Sequence, residues 1–129
     1  FHATGDATAR LASAFHAAVL QGDLPGIARL LAEDAILYTD GGGKRDAALN
    51  PIYGRDKILR FLLGLDRQRR LPVPDEVIAT TINGLPGFVL RTGAGTEAEI
   101  ATIALEVSDG AIVAIYTVRN PDKLRHLTQ

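Results

Sequence analysis

The amino-acid sequence predicts a single α+β domain over residues 1–129, in which three N-terminal helices pack on a curved, mostly antiparallel mixed sheet. Apolar residues recur at helical spacing in the first half of the chain and alternate with polar residues after residue 74. Turns that contain Gly and Pro separate the alternating segments, as a curved sheet of long strands requires. A length of 129 residues and a hydrophobic content of 47% suit one domain with one core.

Two helices are predicted near the start of the chain, over residues 6–21 and 24–32. Asp6 stands at the N-cap position of the first helix, and Gly22 stands where that helix would end. Pro25 fits the first turn of the second helix, where its missing N–H breaks no hydrogen bond. The apolar residues at helical spacing are Leu11, Phe15, Ala18 and Val19 in the first helix, and Ile27, Leu30 and Leu31 in the second.

A strand and a third helix are predicted next. Residues 35–40 include Ile36, Leu37 and Tyr38 and are followed by three consecutive glycines, which indicates a strand that ends there. A loop is expected to continue to Gly54. The third helix is predicted over residues 56–68, with Ile58, Phe61, Leu62 and Leu65 on one face.

The second half of the chain predicts four strands, over residues 76–83, 87–91, 97–107 and 111–119. Their turns are expected at residues 84–87, 93–95 and 108–110, which contain Gly together with Pro, Ser or Asp. Strands joined by such short turns pair antiparallel, so a meander is expected. Helices followed by a run of strands are typical of an α+β domain with the helices on one face of the sheet.

Composition and charge exclude several classes of function. A net charge of -1 creates no field that attracts nucleic acid or an anionic membrane, so neither is an expected partner. The chain has no Cys, and His2, His16 and His126 lack the spacing of metal ligands, so no metal or other cofactor is expected. No membrane-spanning run or signal peptide is visible, which favours a cytoplasmic location. Because the chain begins at Phe1 and contains no Met, further residues are expected to precede it.

The order of these elements, with the segment Ile-Tyr-Gly-Arg-Asp-Lys-Ile at 52–58 opening the third helix, resembles the SnoaL-like members of the nuclear-transport-factor-2-like superfamily. The resemblance covers essentially the whole chain. It implies a cone whose mouth can hold a ligand. The superfamily contains enzymes, binding proteins and scaffolds, so the fold alone does not decide the function.

Two short motifs resemble a narrower group, the SnoaL-like C-terminal domains of extracytoplasmic-function sigma factors. One motif is Asp40-Gly41-Gly42-Gly43-Lys44, and the other is Asn120-Pro121-Asp122-Lys123-Leu124. The resemblance implies a non-catalytic regulatory domain that contacts the sigma core and RNA polymerase and modulates transcription initiation. The two promoter-binding domains of such sigma factors are absent from these residues. The resemblance also predicts that the two motifs lie near each other at one rim of the cone.

Each motif also has a simpler structural interpretation. The glycines at 41–43 can form a flexible turn at a strand end, with Asp40 and Lys44 as a solvated ion pair. The segment 120–122 can start a turn and cap a last short helix.

The alternative function is a stand-alone protein that binds a small, mostly apolar ligand in the cone, or an enzyme of SnoaL or ketosteroid-isomerase type. No set of catalytic residues stands out. The candidates for acid–base chemistry are Asp40, His16 and Tyr38, followed by Tyr53, Tyr116 and Asn83. His16 is more readily explained as a core histidine whose hydrogen bonds are satisfied. The aromatic residues expected around a pocket are Tyr38, Tyr53, Phe61, Phe88 and Tyr116.

Two further features of the sequence suggest partners. Arg67, Arg69 and Arg70 follow the third helix and can dock an acidic neighbour, although cations at a helix C-terminus are also favoured by the helix dipole. The open face of the sheet is expected to allow a homodimer, as it does in the superfamily that the chain resembles.

Overall fold

The computed structural model describes residues 2–40, 51–71, 73–93 and 99–119, with the backbone alone at 2–5 and 40. These residues form three helices and six strands. The helices are α1 (His2–Gln21), α2 (Leu24–Arg29) and α3 (Arg55–Arg67). The strands are β1 (Leu31–Asp40), β2 (Ile52–Tyr53), β3 (Glu76–Ile82), β4 (Leu85–Thr92), β5 (Glu99–Ser108) and β6 (Ala111–Arg119).

The six strands form one sheet in the order β2-β1-β6-β5-β4-β3. The pairing of β1 with β6 is parallel, and every other pairing is antiparallel. The sheet is therefore mixed and mostly antiparallel, which confirms the predicted fold class. Because β1 and β6 are parallel, their C-terminal ends lie side by side, with Asp40 opposite Val118.

The helices cover one face of the sheet and enclose an apolar core. Phe15 of α1 stacks on Phe88 of β4 with ring centroids 5.7 Å apart. Ile58 of α3 and Leu105 of β5 are completely buried. The other members of the core cluster are Ala18, Leu24, Ile27, Leu31, Ala35, Leu37, Ile112 and Ile115. Burial of these side chains is the main force that holds the helices on the sheet.

The boundary between α2 and β1 differs from the prediction. The helix ends at Arg29, before the predicted residue 32, and the strand begins at Leu31 instead of residue 35. Leu30 and Leu31 fit the helical spacing, but in the structure both residues pair with β6. The backbone carbonyl of Leu30 accepts a hydrogen bond from the N–H of Ile112 at 3.0 Å, and Leu31 is the register partner of Ile112. Pairing with β6 thus overrides a local apolar pattern that suits both structures.

Two strand boundaries in the rest of the sheet also correct the sequence analysis. Part of the expected loop before Gly54 is strand β2, in which Tyr53 pairs with Ile36. The turn expected at 84–87 is a tighter one at Asn83 and Gly84, both of which have positive φ. Two such residues between antiparallel strands form the turn that best matches strand twist, so β4 begins at Leu85.

Candidate functional site

A cavity of about 380 Å³ lies between the three helices and the inner face of the sheet. This volume falls in the range of small-molecule sites. Its wall is mostly aliphatic and aromatic, with Phe61, Leu62 and Leu65 contributed by α3 and Leu90 and Ile103 contributed by β4 and β5. The amphipathic pattern of α3 explains this wall, because the apolar face that the sequence predicts is the face that α3 turns toward the sheet.

Polarity increases along the cavity in one direction. On β6 the lining residues are Ile115, which is 4% exposed, then Thr117, then the exposed Arg119. On the parallel neighbour β1, the buried Leu37 is followed by Thr39. Helix α3 runs the same way, from the buried Ile58 to the exposed Asp66. The cavity therefore has an apolar interior and a polar mouth.

Two threonines mark the change from apolar to polar wall. Thr39 and Thr117 are register partners on β1 and β6, and both line the cavity. The Thr117 hydroxyl donates a hydrogen bond to the backbone carbonyl of Tyr38 at 3.3 Å. Hydroxyl groups at this depth can orient a ligand by hydrogen bonding without carrying charge.

The mouth of the cavity carries two arginines. Arg70 and Arg119 line both the main cavity and an adjoining one of about 100 Å³. Arg119 Nη2 donates to Glu99 Oε1 at 2.9 Å, and both side chains are more than half exposed, at 59% and 56%. Arg70 Nη1 donates to the uncharged amide oxygen of Gln68 at 3.3 Å.

The end of α3 places Arg70 at this mouth. Arg69 has a φ of 58°, so the chain leaves the helix in the left-handed conformation. The N–H of Arg70 then donates to the carbonyl of Leu65 at 2.8 Å, which satisfies a carbonyl of the last turn. Of the basic cluster predicted at the end of the third helix, Arg67 and Arg69 are exposed, and Arg70 lines the cavity.

His16 is engaged with the protein and does not line the cavity. Its Nε2 donates to the backbone carbonyl of Val77 at 2.9 Å, and its ring stacks on Phe88 with centroids 5.6 Å apart. These contacts join α1 to β3 and β4. They agree with the interpretation of His16 as a core histidine, and they place its ring away from the cavity wall.

Tyr38 and Tyr116 lie on the outer face of the sheet, which corrects their expected place in the pocket. Their rings are register partners and stack with centroids 4.9 Å apart and an interplanar angle of 4°. The reason is strand alternation: the neighbouring Leu37 and Ile115 point into the cavity, so each tyrosine points away from it. The Tyr116 hydroxyl donates to Glu106 Oε1 at 2.7 Å, and this hydrogen bond raises the pKa of Tyr116 above its ordinary value.

The other predicted pocket aromatics divide between the cavity, the core and the surface. Phe61 lines the cavity. Phe88 is 2% exposed and stacks on both Phe15 and His16, away from the cavity wall. Tyr53 is 59% exposed on the short edge strand β2, so it is not a pocket residue either. Asn83, a lesser candidate, occupies the β3–β4 turn.

The two predicted regulatory motifs fall almost entirely outside the described residues. Asp40 is the last residue of β1, and its side chain, residues 41–44 and residues 120–124 are not described. The described strand ends nevertheless bear on the prediction, because the chain leaves toward the two motifs from neighbouring positions of β1 and β6.

Sequence reasoning missed the polar residues of the cavity. Thr39, Thr117 and Arg119 share strand parity with Leu37 and Ile115, and this parity is the signal in the sequence that points to them. Arg70 is recognisable in the sequence as part of a basic cluster, but its place at a cavity mouth is not. Among the described residues, no three His, Asp or Glu side chains gather in the manner of metal ligands. No described helix has the length and apolarity needed to cross a bilayer.

Comparison with known proteins identifies a relative by sequence. The chain is 32% identical over 115 residues to the extracytoplasmic-function RNA polymerase sigma factor SigJ of Mycobacterium tuberculosis, which covers 83% of this chain and 36% of SigJ. The chain thus spans about a third of that relative. The crystal structure of SigJ superposes with a TM-score of 0.66 and 28% identity over 92% of this chain and 44% of that one. No family model matches the sequence.

More distant structures share the fold. A nuclear-transport-factor-2-like protein of unknown function from Burkholderia xenovorans superposes with a TM-score of 0.64 at 16% identity, over 90% of this chain and 84% of that one. A protein described as a ketosteroid isomerase from Kribbella flavida gives a TM-score of 0.60 at 21% identity, over 88% of this chain and 78% of that one. The chain has a nuclear-transport-factor-2-like fold and is homologous to a segment of the extracytoplasmic-function sigma factor SigJ.

Proposed function

We propose that the chain is a non-catalytic regulatory domain of a cytoplasmic sigma factor, which modulates transcription initiation by contacting the sigma core and RNA polymerase. The observation that carries this proposal is the 32% identity to SigJ over 115 residues. A shared fold would be weaker support, because proteins of other functions have the same fold.

The arrangement of the sheet supports a single docking face for this role. The motifs at 40–44 and 120–124 follow strands that are parallel neighbours, and Asp40 and Val118 are paired. We propose that both motifs contact the sigma core from this rim. Their polar and charged residues suit a contact that is specific without being a large apolar interface.

The test of the regulatory role starts from the natural protein in its own cells. Capture with an antibody to this domain, followed by intact mass measurement and sequencing, is expected to give a species much heavier than 13.7 kDa with sigma-type sequence outside this domain. Transcription from reconstituted RNA polymerase should then change when the motifs are altered. A captured species near 13.7 kDa would contradict the proposal.

A second role, binding of a small and mostly apolar ligand, is favoured by the cavity of about 380 Å³. The described wall supports binding better than catalysis. It includes no His or Tyr, and its one carboxylate, Asp66, lies at the mouth. An isomerase of this fold needs a carboxylate base that faces proton donors inside an apolar site. Competition between an apolar fluorescent probe and candidate ligands would test this role; failure of any apolar probe to bind would contradict it.

We also propose that the outer face of the sheet forms a homodimer. The stacked Tyr38 and Tyr116 lie on this face. Val89 also points to it, because its neighbour Leu90 lines the cavity. Ile78 of β3 is the register partner of Val89 and is 49% exposed on the same face. Aromatic side chains in such a position favour association. Sedimentation equilibrium of the chain is expected to give twice the 13.7 kDa mass, and Tyr116→Lys should return the monomer mass. A wild-type chain that sediments as a monomer at all concentrations would exclude the dimer.

A further inference from the structure

We infer that the cavity takes an amphipathic monocarboxylic acid, with its apolar body in the interior and its carboxylate at the mouth beside Arg70 and Arg119. This inference rests on the ligand-binding role proposed above and adds the chemical class of the ligand. Neither Arg70 nor Arg119 was placed in the pocket by the sequence analysis, and it is their position that defines the ligand.

The interior of the cavity fits an apolar body. Leu37, Ile58 and Ile115 form its deep end, and each is at most 4% exposed. Apolar surface that leaves water in such a site contributes about 25 cal/mol for each Å² buried. No described residue of this end carries a charge that would have to be compensated by the ligand. A ligand of aliphatic character is therefore favoured over one that is polar throughout.

The mouth fits an anionic head. A guanidinium group binds a carboxylate through two parallel hydrogen bonds, and such charge-assisted bonds are stronger than neutral ones. The described contact of Arg70 is to the uncharged amide of Gln68, so a carboxylate can take the place of that amide with a gain. Arg70 also lies close to the apolar wall, since both cavities share Arg70, Leu71 and Leu90.

Arg119 is held by an acidic residue that resembles the proposed head group. Glu99 accepts from Arg119 Nη2 at 2.9 Å, and this pair borders the adjoining cavity. A ligand carboxylate at the mouth would share or displace the carboxylate of Glu99. Glu99 therefore opposes binding of an acid, and its removal should strengthen binding, whereas removal of either arginine should weaken it.

The experiment is calorimetric titration of the chain with decanoate and with decanol, its uncharged analogue. Decanoate is expected to bind about tenfold more tightly than decanol, as one charge-assisted contact to carboxylate allows. Arg70→Gln and Arg119→Gln should each weaken decanoate binding about fivefold to tenfold and leave decanol binding unchanged. Arg67→Gln, an exposed residue of the same helix end outside the cavity wall, is the matched control and should change neither.

Glu99→Gln provides the measurement with the opposite sign. It should strengthen decanoate binding severalfold, because the amide keeps the size of Glu99 and removes its negative charge. Thermal melting of each variant checks that the fold is retained. If these exposed residues had only a structural role, the arginine variants and Glu99→Gln would not change decanoate affinity in opposite directions while leaving decanol affinity unchanged.

The other outcomes separate the two proposals. Equal binding of decanoate and decanol, unaffected by the arginine variants, would overturn the acidic head and leave the apolar cavity role in place. An equal loss of decanoate affinity in Arg67→Gln and Arg70→Gln would show that the net positive charge of this region attracts the acid, and it would also overturn the proposed position of the carboxylate. Binding of neither molecule would overturn both the ligand class and the ligand-binding role.

Discussion

Asp40 and Val118 are register partners at the parallel ends of β1 and β6. Parallel strands that are neighbours in a sheet end at the same edge, so the segments that follow them start from adjacent positions. In this chain those segments carry the two motifs that resemble sigma-factor domains, at 40–44 and 120–124. Two motifs that start 80 residues apart in the sequence therefore follow adjacent strand ends.

A double-mutant cycle should show that the two motifs act as one contact. Lys44→Ala and Asp122→Ala are each expected to change transcription by the natural protein with RNA polymerase. When the changes in activity are converted to free energies, the value for the double variant should differ from the sum of the two single values by at least about 0.5 kcal/mol, because residues in one interface are coupled. Lys57→Ala, an exposed lysine of α3, is the control and should have no effect. Strict additivity of the two motif variants would argue against a shared docking face.

Ile58 packs α3 against the sheet, so its truncation should strongly lower the free energy of unfolding. The side chain is 0% exposed and belongs to the main core cluster. Ile58→Ala is expected to lower the free energy of unfolding by about 2–5 kcal/mol, since it loses buried area and leaves a void. Leu63→Ala, on the exposed side of the same helix, should cost less than about 1 kcal/mol. Urea denaturation measures both; similar losses in the two variants would show that α3 is not docked as described.

Two glycines should respond to substitution in opposite directions. A Cβ on Gly64, inside α3, would meet nothing within 4 Å, so Gly64→Ala should stabilise the chain by about 0.5–1 kcal/mol through helix propensity. A Cβ on Gly87 of β4 would lie 2.8 Å from the backbone carbonyl oxygen of Ile103. Because β5 cannot move without loss of pairing, Gly87→Ala should lower the melting temperature. A rise in melting temperature with both variants would refute this packing of β4 on β5.

The contact between Tyr116 and Glu106 should be visible as a pH dependence. The hydrogen bond to Glu106 raises the pKa of Tyr116, with burial and the negative charge of Glu106 acting in the same direction. The folded state then holds its phenolic proton to higher pH than the unfolded state does. The stability from this pair is complete below the ordinary tyrosine pKa of about 10 and is lost as pH rises through the raised value.

NMR titration of Cζ-labelled tyrosine measures this pKa directly. Glu106→Gln is expected to bring the pKa of Tyr116 down toward its ordinary value, because the amide carries no charge. Glu99→Gln is the matched control, since Glu99 pairs with Arg119 on the same two strands and should leave Tyr116 as it was. An unchanged Tyr116 titration in Glu106→Gln would mean that the hydrogen bond does not form in solution.

Much of the fold could be predicted from the sequence because its signals are local. The switch from helical spacing to alternation locates β3 to β6, and the apolar face of α3 is visible in residues 58–65. The start of β1 could not be predicted this way. Leu31 fits the preceding helical pattern, and its pairing partner Ile112 lies 81 residues later in the chain.

The site was less predictable than the fold because it depends on which face of the sheet the helices cover. Alternation shows that Leu37 and Tyr38 point to opposite sides, and it does not show which side is inside. The sequence therefore predicts pocket residues only from their chemistry, which favours the aromatic ones. In the structure the smaller neighbours Leu37, Thr39 and Thr117 line it, and Tyr38 faces outward.

A substitution that fills part of the cavity should raise the stability of the domain and weaken its binding of a ligand. Ala101 of β5 is half-buried and lines both the main and the adjoining cavity. Ala101→Leu extends apolar atoms into that space and is expected to raise the free energy of unfolding by about 0.5–2 kcal/mol, as cavity-filling substitutions commonly do. The same atoms occupy room that a ligand needs, so decanol binding should weaken.

Ala9→Leu, on the exposed side of α1, adds the same atoms outside the cavity and should change neither property appreciably. Urea denaturation and calorimetric titration of both variants give the two readouts. Natural cores usually fill space that has no use, because each unfilled volume costs stability. A gain in stability coupled to a loss of binding would show that this space is kept for a ligand. A loss of stability in Ala101→Leu would show instead that the wall is already close-packed at this point.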